Sequence, residues 1–374
     1  MAPPRIIPKG ARNAPLTRTQ KVLRVIYFSP LITLFLERLW IPLEFGNLSG
    51  YLDVQGQAVT KTAKVLPANL GMATIPLEKL TRSSRTWKSM CSSDMVSVTN
   101  VVLESSSSLL DSKNWTSERK IPKIIHQTAK SRCVTPAFTK LTNQWKLPDH
   151  SYFFHDDEAI HRLFRREYPE FPHLQLVLQH CVKNPTIKAD LWRYMVLWVY
   201  GGIYADLDTA PAKFNASTIQ EDDDGFFVVE QYHILSQWFM ALSPKHPLMY
   251  YAIQITLQNL MEADDTLNTG AHLRSGPHAL HAAFVTFRRD VNVLVDPIGT
   301  GYKPVQSGTF FGTQNRSITV VGRGENENEY VQRMAVDAIT RTRDYKRMGM
   351  KHFSTFMGPK AKKSGQTCYD AMLS

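Results

Sequence analysis

The sequence predicts an α/β domain with a mostly parallel central sheet, preceded by an N-terminal anchor and stem. Three observations carry this expectation. From residue 119 onward, apolar segments of strand length alternate with helical ones, the pattern of βαβ units. Of the 374 residues, 43% are hydrophobic and 21% charged, a globular balance with enough apolar sequence for a substantial core. A short apolar strand also runs out into two acids, Asp206 and Asp208, and carboxylates at a strand's carboxyl end lie where ligands of such sheets bind.

Residues 1–24 carry six Lys/Arg and no acid, and read as a basic cytosolic tail. The apolar run VIYFSPLITLFL (25–36) resumes after Glu37-Arg38 as LWIPLEF, so 25–46 reads as a type II signal-anchor. A cleaved signal or organelle-targeting peptide, or an amphipathic arm, are the other readings, because the uninterrupted run of 12 residues is shorter than the roughly 20 that span a bilayer. Residues 47–118, rich in Ser, Thr and small residues, read as a stem. The domain proper is expected over 119–358, with 359–374 as a C-terminal tail.

Within the domain, IPKIIHQT (121–128) is a first strand and HSYFFHDD (150–157) a second, followed by the helix EAIHRLFRREY; FPHLQLVLQHCV leads as a further helix to Asn184-Pro185. In TIKADLWRYMVLWVYGGIYADLDTAP (186–211), Ile187, Leu191, Tyr194, Met195 and Trp198 recur at helical spacing, Gly201-Gly202 reverse the chain, and IYADLD forms the strand with the two acids. On a regular strand, acids at i and i+2 share a face, so Asp206 and Asp208 would converge on one cation. Asp156-Asp157 are expected to cap the helix after them. EDDDG (221–225) reads as an exposed turn before the strand FFVVE, whose Glu230 would face the cleft.

The net charge of +11 is concentrated at the ends: residues 1–24 and 341–374 each carry +6, and the 316 residues between them −1. With no helix-turn-helix, zinc finger or aromatic-basic repeat, nucleic acid is not an expected partner. Cys91, Cys133, Cys181 and Cys368 are too dispersed for a structural zinc site; one or two disulfides fit, in any pairing. Sequons stand at Asn47, Asn114, Asn215 and Asn315.

Hard oxygen ligands from Asp-x-Asp suit Mg2+ or Mn2+ with a diphosphate, and Asp190 and Arg193 form an i, i+3 pair on the preceding helix. The block KADLWRYMVLWVYGGIYADLDT resembles the DXD-containing sugar-binding region of glycosyltransferase family 32, whose best-known members are fungal mannosyltransferases. IPKIIHQT and SGPHALH (275–281) resemble two further segments of that family, so the likeness runs over roughly 119–358. The resemblance implies a GT-A fold and transfer of a sugar, most simply mannose from GDP-mannose, to a glycan or glycolipid with retention. It implies Mn2+, with Mg2+ as substitute, held by Asp206 and Asp208, and a membrane-anchored Golgi protein. In the related clostridial glucosylating toxins an Asp and an Arg meet the donor sugar, which here would be Asp190 and Arg193. His126, Gln127, Gly276 and Pro277 fall in the other matching segments and are donor-binding candidates. MKHFSTFMG (350–358) is similar to the family's closing segment but lacks its Trp; His352 is the candidate third metal ligand, and Lys351, Lys360, Lys362 and Lys363 would be a phosphate lid or a solvated tail. A UDP-sugar donor, or an inactive subunit of a glycosyltransferase complex, are the alternatives.

Overall fold

The computed structural model describes residues 75–103, 119–229, 234–263, 271–289, 305–322, 330–333, 338–350 and 365–373. The basic tail, the expected anchor, Glu230, His352 and the lysines at 351–363 lie outside the described residues.

The domain begins well before residue 119. Helices α1 (Leu77–Thr81) and α2 (Trp87–Met90) precede strand β1 (Val96–Ser97), and Leu77 and Leu80 are fully buried. Strand β1 pairs antiparallel with β3 (Cys133–Val134), and Cys91 is disulfide-bonded to Cys133. Arg132, 6% exposed, donates to the carbonyls of Thr81 (2.6 Å), Val98 (3.3 Å) and Phe154 (2.8 Å) and so sews the early segment to the sheet. The stem expected to reach residue 118 is corrected by these contacts: 75–103 is part of the folded domain. The serine-rich composition that follows in the sequence reads as a linker and hid the boundary.

Among the described residues, seven strands form the central sheet in the order β4-β2-β5-β8-β7-β10-β9. They are β2 (Ile124–Thr128), β4 (Ser151–His155), β5 (Gly202–Ala205), β7 (Gly225–Val229), β8 (Leu235–Leu242), β9 (Gly308–Phe311) and β10 (Ser317–Val321). Pairs β2/β4, β2/β5 and β7/β10 are parallel, whereas β5/β8, β7/β8 and β9/β10 are antiparallel. The expectation of a mostly parallel sheet is corrected: the sheet is mixed. Only five residues separate β7 from β8 and β9 from β10, too few for the crossover of a dozen or more that parallel neighbours need.

One face of the sheet, including Ile125, Tyr152, Phe154, Ile203 and Phe239, packs on α3 (Pro136–Gln144), Trp145 and Phe214. Strand β6 (Thr209–Pro211), pairing antiparallel with β11 (Val331–Arg333), lies beside this layer. The opposite face is covered by α4 (Asp157–Phe164), α6 (Pro185–Tyr200), α7 (Pro247–Met261) and α9 (Pro277–Arg289). Asp156 caps α4 as expected, its side chain accepting from the Ala159 amide at 3.0 Å.

Helix α6 starts at Pro185 behind an Asn184 cap and is buried on every side from Asp190 to Tyr200, not along a stripe alone. It lies between the sheet and its neighbours α4 and α7, which leaves no face for water. Gly201 (φ +64°) and Gly202 (φ +92°) end it; a Cβ at Gly202 would fall 2.6 Å from the Ile124 carbonyl oxygen, so the return into β5 needs glycine on both counts.

A short helix α5 (Leu174–Leu176) continues as a π turn to Cys181, which is disulfide-bonded to Cys368 in α11 (Cys368–Leu373). The Cys368 amide also donates to the Ala263 carbonyl at 3.0 Å. Residues 365–373 are therefore docked rather than a solvated tail, and α8 (Ala271–Arg274) and α10 (Ala338–Arg347) complete the described helices. The EDDDG turn is also corrected at its last acid. Asp224 is 2% exposed and ion-paired with Arg316, whose Nη2 lies 2.7 Å from its Oδ1.

Candidate functional site

Strands β2, β4 and β5 run parallel, so Thr128, His155 and Ala205 end at one edge of the sheet, and the sequence turns back there through the two acids. Strand β5 stops at Ala205. Asp206 to Thr209 form a turn closed by the Thr209 amide (3.2 Å) and hydroxyl (2.7 Å), both donating to the Asp206 carbonyl. The two acids thus share a tight turn, not the face of a pleated strand as the spacing suggested, because Leu207 between them is drawn into the core at 3% exposure. Asp208 is itself 3% exposed, while the Asp206 side chain retains 21%.

Arg193 reaches this turn from α6. Its Nη1 lies 3.2 Å from Asp206 Oδ1 and its Nη2 3.1 Å from Asp190 Oδ1, so one guanidinium bridges the helix acid and the first DXD acid. Nη1 also donates to the Gln237 carbonyl (3.1 Å), and the guanidinium lies 4.8 Å from the Tyr204 ring centroid. The Tyr204 hydroxyl donates to Asp206 Oδ1 at 2.5 Å. Burial works against the charge on Arg193, but Tyr204, Asp206 and Asp190 outweigh it and hold the guanidinium protonated beyond its ordinary range. Burial pushes the Asp190 carboxyl up to about 6, even against Arg193 and a hydrogen bond from Ser275.

Gln127 enters from the other side: its amide donates to the Asp206 carbonyl (3.1 Å) and its Oε1 accepts from the Tyr152 hydroxyl (2.9 Å). Gly276 and Pro277 sit at the start of α9 beside Asp190, with the Gly276 carbonyl 3.3 Å from the Tyr194 hydroxyl. His126 is placed otherwise than expected. It is fully buried on the helical face, with Nε2 at 3.0 Å from the Gly201 carbonyl and Nδ1 at 3.1 Å from His155 Nε2. The carbonyl only accepts, so Nε2 carries the proton; burial lowers the imidazole to about 4 and keeps it neutral. Both ring nitrogens are spent on the protein, which makes His126 a brace for the Gly201 turn.

The structure therefore gathers Asp190, Arg193, Asp206, Asp208, Gln127 and the Gly276-Pro277 turn at one sheet edge. Sequence reasoning missed Tyr204, Tyr194, Gln237 and Ser275. Ser275 stood inside SGPHALH, and a tyrosine two residues before a strand-end acid was the available signal for Tyr204. Among the described residues no three His, Cys, Asp or Glu side chains form a metal-holding group, and no helix is long and apolar enough to cross a membrane.

Comparison with known proteins matches the family described as "Glycosyltransferase sugar-binding region containing DXD motif" to residues 79–223, a stretch that also begins before residue 119. A mannosyl phosphorylinositol ceramide synthase of Saccharomyces cerevisiae is 41% identical over 91 residues, covering 24% of this chain and 22% of that protein. From Schizosaccharomyces pombe, an initiation-specific alpha-1,6-mannosyltransferase is 27% identical over 157 residues (36% of this chain, 39% of that one). An inositol phosphoceramide mannosyltransferase 1 of the same yeast is 29% identical over 139 residues, covering 36% and 42%. The matches thus span less than half the length of these relatives. Among solved structures, a PaToxG glycosyltransferase aligns with 44% of this chain and 69% of its own at 17% identity and a TM-score of 0.36, too distant a likeness to bear on the argument. The matched region encloses Asp190, Arg193 and both acids of the turn, so residues 79–223 of the chain are similar to a glycosyltransferase sugar-binding region containing a DXD motif.

Proposed function

We propose that the chain is a retaining GT-A glycosyltransferase that moves mannose from GDP-mannose to a glycan or glycolipid. The observation that carries this reading is the buried chain Asp190–Arg193–Asp206 at the ends of three parallel strands, inside the stretch that matches a DXD-containing sugar-binding region. Arg193 fixes two carboxylates in one arrangement before any ligand arrives, which is the preorganisation that charge-separating chemistry needs. Asp190 accepts one bond on each oxygen within the protein, and a carboxylate offers about four acceptor sites, so sugar hydroxyls find capacity there.

Asp206 and Asp208 supply hard oxygens that fit Mn2+ or Mg2+, with the rest of the shell left to diphosphate and water. Such an ion, when bound, neutralises the charge that develops on a departing nucleoside diphosphate. Gln127 holds the Asp206 backbone and Tyr204 its carboxylate, so the turn keeps its shape under that charge.

Two disulfides support folding in an oxidising compartment, and the sequons at Asn215 and Asn315 are exposed. With yeast mannosyltransferases as relatives, this favours a Golgi protein of type II topology, anchored through 25–46 with its catalytic domain in the lumen.

The test is to purify the full chain in detergent and assay GDP-mannose, UDP-glucose, UDP-galactose and UDP-N-acetylglucosamine for release of nucleotide. GDP-mannose turnover that disappears with chelator and in Asp208→Asn is the expected result. Metal-independent turnover or full activity in that variant overturns it, and preference for a UDP-sugar changes the donor.

A further inference from the structure

Ser275 lies in the turn between α8 and α9, and none of it is exposed. Its hydroxyl lies 2.7 Å from Asp190 Oδ2 and 3.2 Å from the Ala271 carbonyl. A hydroxyl has one proton, and the shorter contact to a carboxylate is the stronger acceptor, so the proton points to Asp190.

The backbone of the same residue is clamped from two other elements. The Ser275 carbonyl accepts from the Tyr194 hydroxyl of α6 at 2.8 Å and from the Gln237 amide of β8 at 2.9 Å. Gln237 also donates to the Tyr194 hydroxyl at 2.7 Å, and its own carbonyl takes Arg193 Nη1 at 3.1 Å. Gly276 lets the turn sit this close: a Cβ there would fall 2.7 Å from His272 Cα and carbonyl oxygen. Asp190 therefore takes Arg193 on one oxygen and Ser275 on the other, and both partners are tied to Gln237.

We propose that Ser275 is a positioning residue for donor-sugar recognition: held by Tyr194 and Gln237, its hydroxyl fixes the Asp190 carboxylate beside Arg193 in the orientation that meets the sugar. This rests on the reading that Asp190 and Arg193 face the donor sugar. Without the hydroxyl, Asp190 keeps only Arg193 and is free to rotate toward it, closing the acceptor sites a sugar hydroxyl would use. The nucleoside diphosphate, held elsewhere in the cleft, does not sense that rotation.

The experiment compares full-length wild type, Ser275→Ala, Ser275→Thr and Tyr194→Phe for calorimetric affinity toward GDP and toward GDP-mannose with Mn2+, and for kcat and KM. A thermal melt establishes that each is folded. Ser275→Ala is expected to lose roughly 10- to 100-fold in affinity for the sugar nucleotide, the size of a lost hydrogen bond to a charge, with GDP affinity unchanged. Ser275→Thr, which restores the hydroxyl, recovers binding to within about threefold, and Tyr194→Phe, which loosens the clamp alone, falls between. Equal losses toward GDP and GDP-mannose, or no loss in Ser275→Ala, overturn the proposal while leaving the proposed function standing. Wild type that binds neither ligand overturns both.

Discussion

Asp190 and Asp224 are each buried beside an arginine, in opposite halves of the sheet, and they are held at opposite ends of the carboxylate range. Burial acts first on both and raises both. At Asp224 it is overcome by hydrogen bonds from Arg316, by the nearby His246 and by Ser243, and the carboxyl is lowered to about 2. Both oxygens of Asp224 meet the Arg316 guanidinium, and the Ser317 amide approaches at 3.4 Å. At Asp190 the single Arg193 contact and the Ser275 hydroxyl do not overcome burial, and the carboxyl stands at about 6. Arg193 divides its donors between two acids and a carbonyl, whereas Arg316 spends both Nε and Nη2 on Asp224. The β7–β10 half thus contains an ion pair completed by the protein, and the β4–β2–β5 half one that leaves acceptor capacity for a ligand.

Removing each arginine breaks the comparison most directly. Arg193→Ala is expected to lower kcat/KM for the donor by on the order of 10^3-fold, as for removal of a preorganised charge donor, while the melting temperature changes little because Asp190 then takes up a proton. Arg316→Leu reverses the pattern: Asp224, already the stronger acid, is left buried without its cation, and urea unfolding should show a loss of about 3 kcal/mol with donor affinity unchanged in the folded fraction.

Titration sharpens the same contrast. A carboxyl raised from 3.8 to about 6 binds its proton more tightly in the native state, so Asp190 withdraws stability as pH rises from about 4 to about 6, by roughly 3 kcal/mol in full. Asp224 has the opposite sign: its contribution is complete above about 4 and is lost as pH falls toward 2. Urea midpoints of wild type and Asp190→Asn at about pH 4.5 and pH 7.5 check this, the variant being expected to lose less stability than wild type across the interval. The smallest effect belongs to Tyr204→Phe, which deletes the 2.5 Å bond to Asp206 and should weaken donor binding by about 1 kcal/mol, near fivefold, read by calorimetry.

The parallel half of the sheet was legible because its strands and α6 are continuous apolar runs punctuated by Pro122, Pro185 and Gly201-Gly202, each of which has one reading. The β8-β7-β10-β9 half, which mixes both directions, was not. LSQWFMAL is buried along its whole length in β8, and a strand without alternation reveals neither its partner nor its direction. The site divides the same way. Asp190, Arg193, Asp206 and Asp208 fall within 19 residues and were visible as a block, while Gln237, which holds Arg193 from 44 residues away, and Ser275, which holds Asp190 from 85 residues away, come from other elements. Asp224 was misplaced because consecutive acids before a glycine usually mark a solvated turn, and Arg316, the partner that buries it, is 92 residues distant. His126 looked like a ligand because it ends the first strand beside Gln127; the strand's pleat sends it to the helical side and Gln127 to the other.

The two disulfides differ in sequence separation, 42 residues for Cys91–Cys133 and 187 for Cys181–Cys368, and this imposes an order in time. At ribosomal rates of about 5–20 residues per second, Cys181 leaves the ribosome roughly 10 to 40 s before its partner has been made. By then Cys91 and Cys133 are both available to each other, which removes the two competing thiols from circulation. Helix α6, the DXD turn and the Ser275 clamp are likewise synthesised inside that interval. The long-range bond can therefore close only after the residues of the DXD turn and of the Ser275 clamp have been made.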